Sequence, residues 1–213
     1  MYLRIYCFGF AHNTLAIDRG YAYDMRYDSR GGFTMGVPVQ YDFTDWFGLR
    51  AELAYVAKGQ SVHRTHSFEG LKSDIRNHYL QIPVMANFSF GGTRLRGFVN
   101  AGAYVGAWLA SIEKGINVNV FGHLTDAELL NENTTYISDG KLDFDARRDN
   151  RFEAGLTGGL GIRYLLLPRM EVSLEGRCYY ALTDQQKDYM YFHTPRYNTT
   201  FALLAGISFL LGK

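Results

Sequence analysis

Polar and apolar side chains alternate with a period of two through most of this chain. Residues 169–211 show the pattern best. Val172, Leu174, Gly176, Cys178, Tyr180 and Leu182 fall on one face, with Glu171, Ser173, Glu175, Arg177, Tyr179 and Ala181 on the other. The closing segment sets Phe201, Leu203, Ala205, Ile207 and Phe209 against Thr200, Ala202, Gly206 and Ser208. Successive side chains of a strand point to opposite sides, so the pattern predicts a hairpin with two unlike faces. Eight such segments emerge: residues 2–10, 32–43, 47–58, 78–90, 95–108, 151–165, 172–182 and 200–209. Pro38 and Pro83 fall within two of them, on the polar-face parity, and predict a bulge or local kink there.

The connections alternate in length. Turns after the second, fourth and sixth segments span a few residues, whereas residues 11–31, 59–77, 109–150 and 184–196 form long loops. Short turns on one side and long loops on the other is the plan of an outer-membrane barrel. The expectation is therefore a single domain over residues 1–213. It is all-β: an eight-stranded, antiparallel, up-and-down transmembrane β-barrel with short periplasmic turns and long extracellular loops. A helix over residues 126–131, capped by Thr125, is the one helical candidate.

Alternation alone does not say which face meets solvent. Arg4, Arg50, Glu52, Lys58, Arg96, Glu153, Arg163, Glu171, Glu175 and Arg177 share the polar parity. In a soluble barrel the interior would hold nearly every large residue of eight strands, yet such a barrel is only just filled by side chains. The aromatic residues argue the same way. Tyr41, Phe43, Phe47, Phe88, Phe90, Tyr164 and Phe209 mark the short-turn ends of the apolar face. Phe33, Tyr55, Phe152, Tyr180 and Phe201 mark the loop ends. Two rings a strand length apart match the interfacial girdles of a membrane barrel. The polar face then lines the lumen, and Arg50, Glu52, Arg96, Glu153, Arg163, Glu171, Glu175 and Arg177 are predicted to form a paired charge network. Unpaired buried ions cost several kcal/mol, so the network predicts a plug rather than a wide pore.

Composition narrows this further. Sixteen Tyr, 15 Phe and 23 Gly against 4 Pro suit strands rather than a helical bundle. With 22 basic and 21 acidic residues, the chain lacks the basic surplus of a nucleic-acid binder. Cys7 and Cys178 are too few for a disulfide framework and read as small hydrophobes. No apolar run reaches the roughly 20 residues a membrane helix needs, which does not count against strands that dilute the signal. Residues 2–10 alternate like a strand and carry no small-residue cleavage site, so the chain is read as a form whose export signal has been removed.

The stretch GVPVQYDFTDWFGLRAELAYVAKG carries Leu49, Arg50, Glu52, Leu53, Tyr55, Lys58 and Gly59 in an L-R-x-E-L-x-Y-x-x-K-G order. NHYLQIPVMANF carries Tyr79, Leu80, Ile82 and Pro83 as Y-L-x-I-P. RGFVNAGAYVG and EAGLTGGLGIRY supply glycine-rich later strands. In order and spacing these resemble the PorT-like outer-membrane β-barrel family of Bacteroidetes, over nearly the whole chain. The resemblance implies an eight-stranded barrel in the outer membrane. It does not imply one function, because fold is not function. The C-terminal Leu210-Leu211-Gly212-Lys213 departs from the aromatic ending more usual in that family.

Candidate chemistry is sparse. All six histidines, His12, His63, His66, His78, His123 and His193, lie in loops or at strand edges, without the spacing of a metal motif. Asp143, Asp145 and Asp149 alternate, but Arg147 and Arg148 intervene and the glycine and glutamate of a calcium loop are missing. His66, Ser67 and Glu69 are the nearest set to a nucleophile, base and acid, and adjacent loop residues rarely make a triad. Tyr23, Tyr27, Tyr136, Tyr189 and Tyr191 enrich the loops in contact area suited to a protein or glycan, or to interfacial anchoring. The expected role is a non-enzymatic outer-membrane barrel, a structural or surface-interaction platform with no metal or cofactor. Its partners would be outer-membrane lipid and a surface protein or glycan, with a monomer favoured. A small pore, a secretion-system accessory and a loop-sited enzyme are the alternatives.

Overall fold

The computed structural model describes residues 2–17, 25–65, 69–118, 135–187 and 195–210. The strands are β1 (Tyr2–Ile17), β2 (Met25–Asp42), β3 (Phe47–Arg64), β4 (Lys72–Gly91), β5 (Leu95–Val118), β6 (Thr135–Lys141), β7 (Phe152–Leu167), β8 (Met170–Ala181) and β9 (Arg196–Leu210). Eight of them pair in a ring, β1-β2-β3-β4-β5-β7-β8-β9, and β9 pairs back to β1. Every pairing is antiparallel. Closure removes the edges whose unpaired backbone groups cannot be left in an apolar medium. The ninth strand, β6, stands outside the ring and pairs with the far end of β5, from Ile112↔Lys141 to Val118↔Thr135.

The strands extend well past the expected boundaries. Residues 11–31, 59–77 and 109–150 were expected as loops, yet β1 runs to Ile17, β2 begins at Met25, β3 ends at Arg64, and β5 ends at Val118. The reason is local. Along β3, burial alternates only as far as Tyr55, and residues 56–62 are all buried. There the outward positions no longer have to be apolar, so the period-two contrast fades while the backbone pairing continues. The helix expected over residues 126–131 lies outside the described residues.

Neither proline introduces a bulge, contrary to expectation. Between β3 and β4 the register runs Ala51↔Val84 and resumes at Ala54↔Gln81 without a shift, skipping the partners of Pro83. Between β1 and β2 it runs Leu3↔Val39 and resumes at Tyr6↔Gly36, skipping Pro38. On its other side each proline stays in register, as Pro38↔Glu52 and Pro83↔Tyr104. A missing N–H removes a bond on one side of a strand only. The bulge in this region falls instead on β1, between Tyr6 and Phe8.

Short turns join β2 to β3, β4 to β5 and β7 to β8. In the first, the Phe43 and Thr44 amides donate to the Phe47 carbonyl at 3.0 and 3.1 Å, and the Phe47 amide donates to Thr44 Oγ1 at 3.0 Å. Gly91 opens the second turn with φ near +116°, which L side chains rarely adopt.

Burial is inverted relative to a soluble barrel. Phe33, Met35, Val37, Val39 and Tyr41 of β2 are exposed, while Thr34, Gly36, Pro38 and Gln40 between them are buried. The same holds along β4, β7, β8 and β9. Among the described residues no helix is long and apolar enough to cross a membrane. An aqueous medium would leave this exterior as one apolar patch far larger than soluble monomers carry.

Candidate functional site

Inward parity brings two polar clusters together inside the ring. In the first, β3 supplies Arg50 and Glu52 and β8 supplies Glu175 and Arg177. Each strand presents both residues inward because they are two positions apart. Arg50 donates to Glu175 at 3.0 Å and to Glu52 at 3.2 Å. Arg177 donates to Glu52 at 3.0 Å, and to the two oxygens of Glu175 at 2.7 and 2.9 Å. All four side chains are at most 1 % exposed. In the ring β3 and β8 are four strands apart in either direction, so these ion pairs cross the full width of the lumen. Asn100 of β5 adds a bond to Glu175 at 3.0 Å, and continues through Asn87 (2.6 Å) to Gln40 (3.1 Å).

The second cluster lies nearer the long loops and centres on Glu153 of β7. Lys58 of β3 donates to it at 2.6 Å, Gln81 of β4 at 2.7 Å, Tyr104 of β5 at 3.0 Å and Asn198 of β9 at 2.5 Å. Tyr79 stands above, with Lys58 Nζ 4.3 Å from its ring centroid and its hydroxyl accepting from Gln185 (2.8 Å) and Asn198 (3.2 Å). Five strands thus converge on one carboxylate. A buried ion is tolerable only when paired and hydrogen-bonded in this way.

Of the eight charged residues expected in one network, the structure brings together Arg50, Glu52, Glu175 and Arg177, and places Glu153 in the separate upper cluster. Arg163 is buried, hydrogen-bonds to Ser89 Oγ, and lies 5.6 Å from the Phe98 ring centroid. Arg96 does not join either cluster: it donates to the Asp45 backbone carbonyl at the short-turn end. Glu171 is half-buried at that same end. Parity fixed the face of these two residues, and their height on the strand put them beyond the enclosed lumen. Lys58 carried the inward parity but was not placed in the predicted network. Tyr79, Tyr104 and Tyr179 are buried on the inward face, as their polar-face parity requires, but a network predicted from charges alone leaves them out.

On the outer face, Phe33, Tyr41, Phe43, Phe88, Phe90, Phe152, Tyr164, Tyr180, Phe201 and Phe209 are exposed, with Phe47 and Tyr55 half-buried. At the turn end Tyr41–Phe43, Phe43–Phe47, Phe47–Phe88 and Trp46–Phe88 ring pairs lie 4.9, 5.7, 5.4 and 6.3 Å apart. Tyr55 meets His78 through its hydroxyl. His63 lies 3.4 Å from Asp28. His66, His123 and His193 lie outside the described residues, as does Ser67. Among the described residues no three His, Cys, Asp or Glu side chains gather as metal ligands.

Above the upper cluster the strand extensions enclose a cavity of about 290 Å³. Its floor includes Trp108, stacked on Tyr79 at 5.9 Å, and Gln185. Segment 142–150 forms part of its wall. There the Asp145 amide donates to Asp149 at 2.9 Å, and Arg148 reaches the same carboxylate through Nε at 2.9 Å and Nη2 at 3.0 Å. This hydrogen bonding outweighs burial and raises the Arg148 pKa above its ordinary value. The alternating aspartates therefore build a turn: Asp149 is consumed by it, and Asp143 is exposed.

No curated protein matches the chain in sequence. A solved structure shares its fold, and others resemble it more distantly. OprG of Pseudomonas aeruginosa is 14% identical, with 98% of this chain and 93% of that chain covered and a TM-score of 0.51. Ail, the attachment invasion locus protein of Yersinia pestis, is 16% identical over 98% of each chain, with a TM-score of 0.46. Neisserial surface protein A is 13% identical over 99% of this chain and 96% of that one, with a TM-score of 0.48. The family described as "outer membrane protein beta-barrel domain" matches residues 6–186, most of the sequence. The closed ring of eight strands, apolar outside and charged within, agrees with that description. The protein therefore belongs to the outer membrane protein beta-barrel domain family and resides in the outer membrane.

Proposed function

We propose that this barrel is a non-conducting, non-enzymatic platform that acts at the cell surface through its long-loop end. The observation that carries this reading is the Arg50–Glu52–Glu175–Arg177 quartet, which joins strands on opposite sides of the lumen. An eight-stranded barrel leaves room only for side chains or one small ligand, and here large, paired side chains occupy that room. Transport by a wide aqueous path does not fit such an interior. The exposed aromatics at both ends act as interfacial girdles that hold the barrel at its depth in the lipid. The motif L-R-x-E-L-x-Y-x-x-K-G at residues 49–59 supports placing the chain in the PorT-like branch found in Bacteroidetes. The partner side of the platform is the long-loop end, to which a surface protein or a glycan would bind, with the barrel as a monomer.

Planar-bilayer recording tests the reading. Reconstituted protein gives no stable conductance steps under an applied potential. Large, long-lived steps from the purified, folded barrel would replace the platform with a pore.

A further inference from the structure

We infer that the cavity at the long-loop end is a binding site for a monosaccharide-sized solute bearing one carboxylate or phosphate. The inference deepens the surface-recognition reading above and rests on it.

Charge is the first observation. The cavity is lined by Arg64, Arg148 and Arg196 against Glu113 and Asp149, three cations to two acids. Asp149 is held by Arg148 at 2.9 Å. Among the described residues Arg64 and Arg196 form no ion pair, so the lining keeps a positive surplus at the outer end of the barrel.

Unmet hydrogen bonding is the second. Gln60 and Ser73 line the cavity and are 6% and 2% exposed, yet among the described residues Gln60 Oε1 and Ser73 Oγ have no partner. Nor, among those residues, do the buried Nε atoms of Arg64 and Arg196. Buried polar groups are nearly always satisfied, and a cluster without partners beside one cavity asks for a ligand or for ordered water. The two arginines donate and suit an oxyanion. Gln60 and Ser73 offer an acceptor and a hydroxyl, which suit the hydroxyls of a sugar.

Size is the third. Pockets for drug-sized molecules run from about 300 to 1,000 Å³. At about 290 Å³ this cavity sits at the bottom of that range and takes one sugar ring. The larger depression of about 890 Å³ on the barrel wall is lined mainly by Val99, Leu160, Phe201 and Leu203 with glycines, and its one cation, Arg177, is already paired with Glu52 and Glu175.

The test titrates glucuronate, glucose 6-phosphate and glucose into the folded barrel in phospholipid bilayers at low salt, read by calorimetry. The result expected is saturable binding of at least one acidic sugar, with glucose weaker by about tenfold or more. Arg64→Gln and Arg196→Gln each weaken the acidic sugar by about tenfold while Arg169→Gln, at the short-turn end, does not. Heat-modifiable migration establishes that each variant is folded. If the arginine variants do not fold, the acidic-over-neutral preference of the unaltered protein decides alone. Absence of saturable binding overturns the inference, as does equal binding of glucose or unchanged affinity in both folded variants. Repeating the titration in bilayers containing lipopolysaccharide separates two sources of the same chemistry. A weaker apparent affinity assigns the site to an acidic sugar of the lipid; an unchanged one assigns it to a soluble sugar. Conductance is read independently. A silent barrel that binds no acidic sugar loses this inference and keeps the platform, and a conducting one that binds loses the platform and keeps the site.

Discussion

Glu175 accepts from Arg50, Arg177 and Asn100 and is fully buried. Removing one partner of a buried pair leaves the other uncompensated, at a cost of about 3–5 kcal/mol. Glu175→Gln is therefore expected to lower unfolding stability by that amount in urea, while Glu171→Gln at the turn end changes little. Equal losses at the two positions would mean that parity alone, without enclosure, sets the cost. Glycines give a second contrast. A Cβ at Gly102 would lie 2.0 Å from the Val84 carbonyl oxygen, a backbone atom that cannot swing aside. At Gly158 the nearest atom is 3.5 Å away. Gly102→Ala is expected to destabilise by about 1–3 kcal/mol, as overpacking does. Gly158→Ala is expected to be near neutral by the same urea measurement. The inward face of Glu175, Glu171 and Gly102 was legible, since alternation fixes it. Their partners were not. Nothing in the spacing of Arg50 and Glu175 says that β3 faces β8, and nothing in Arg96 says that its strand height lies beyond the lumen.

The strands carry a second lesson at their loop ends. Sequence alternation marked each element where one face meets lipid and stopped where that contrast stops. Backbone pairing goes further, from Met25↔Arg64 on β2–β3 to Ser73↔Gly115 on β4–β5. Side chains there bind one another across strands. Asp74 on β4 takes a hydrogen bond from Ser61 on β3 at 2.6 Å, and lies 2.6 Å from Arg30 on β2 and 3.7 Å from Lys72. Burial pushes the Asp74 carboxyl upward, but the Ser61 hydroxyl, Arg30 and Lys72 outweigh it, and the pKa falls below the ordinary carboxylate value. A depressed acid stabilises the fold above its unfolded pKa, and that contribution is lost as pH falls through the folded one. Protection from hydrogen exchange in the β2–β3–β4 extension, taken relative to the intrinsic rate at each pH, should thus fall on acidification below about pH 4, the usual carboxylate range. Asp74→Asn should exchange faster at neutral pH and show a flatter acid response. An unchanged acid response in Asp74→Asn would assign the effect to another group.

At the scale of the whole barrel, two layers of paired side chains stand in series along the lumen. The lower is the quartet of β3 and β8; the upper is Lys58 and Glu153 with Gln81, Tyr104 and Asn198 around them. Removing a whole buried ionic group together leaves no uncompensated charge behind, and that uncompensated charge is the costly part of a single removal. The lower layer can therefore be removed as a unit, by Arg50→Ser, Glu52→Ser, Glu175→Ser and Arg177→Ser in one protein. Water then takes the vacated volume, and the remaining polar wall stays satisfied. The upper layer still blocks the path, so this variant is expected to fold and to stay silent in planar bilayers. Removing only Lys58 and Glu153, also to serine, should leave it silent too, since the quartet still spans the barrel. Both layers removed together should give discrete conductance steps from a folded protein, because the charged side chains that cross the ring at both heights are then gone. Steps from either single-layer variant would show that the remaining layer is no seal. Silence from the folded combined variant would place the seal elsewhere, and the paired charges would then be filling the barrel without closing it.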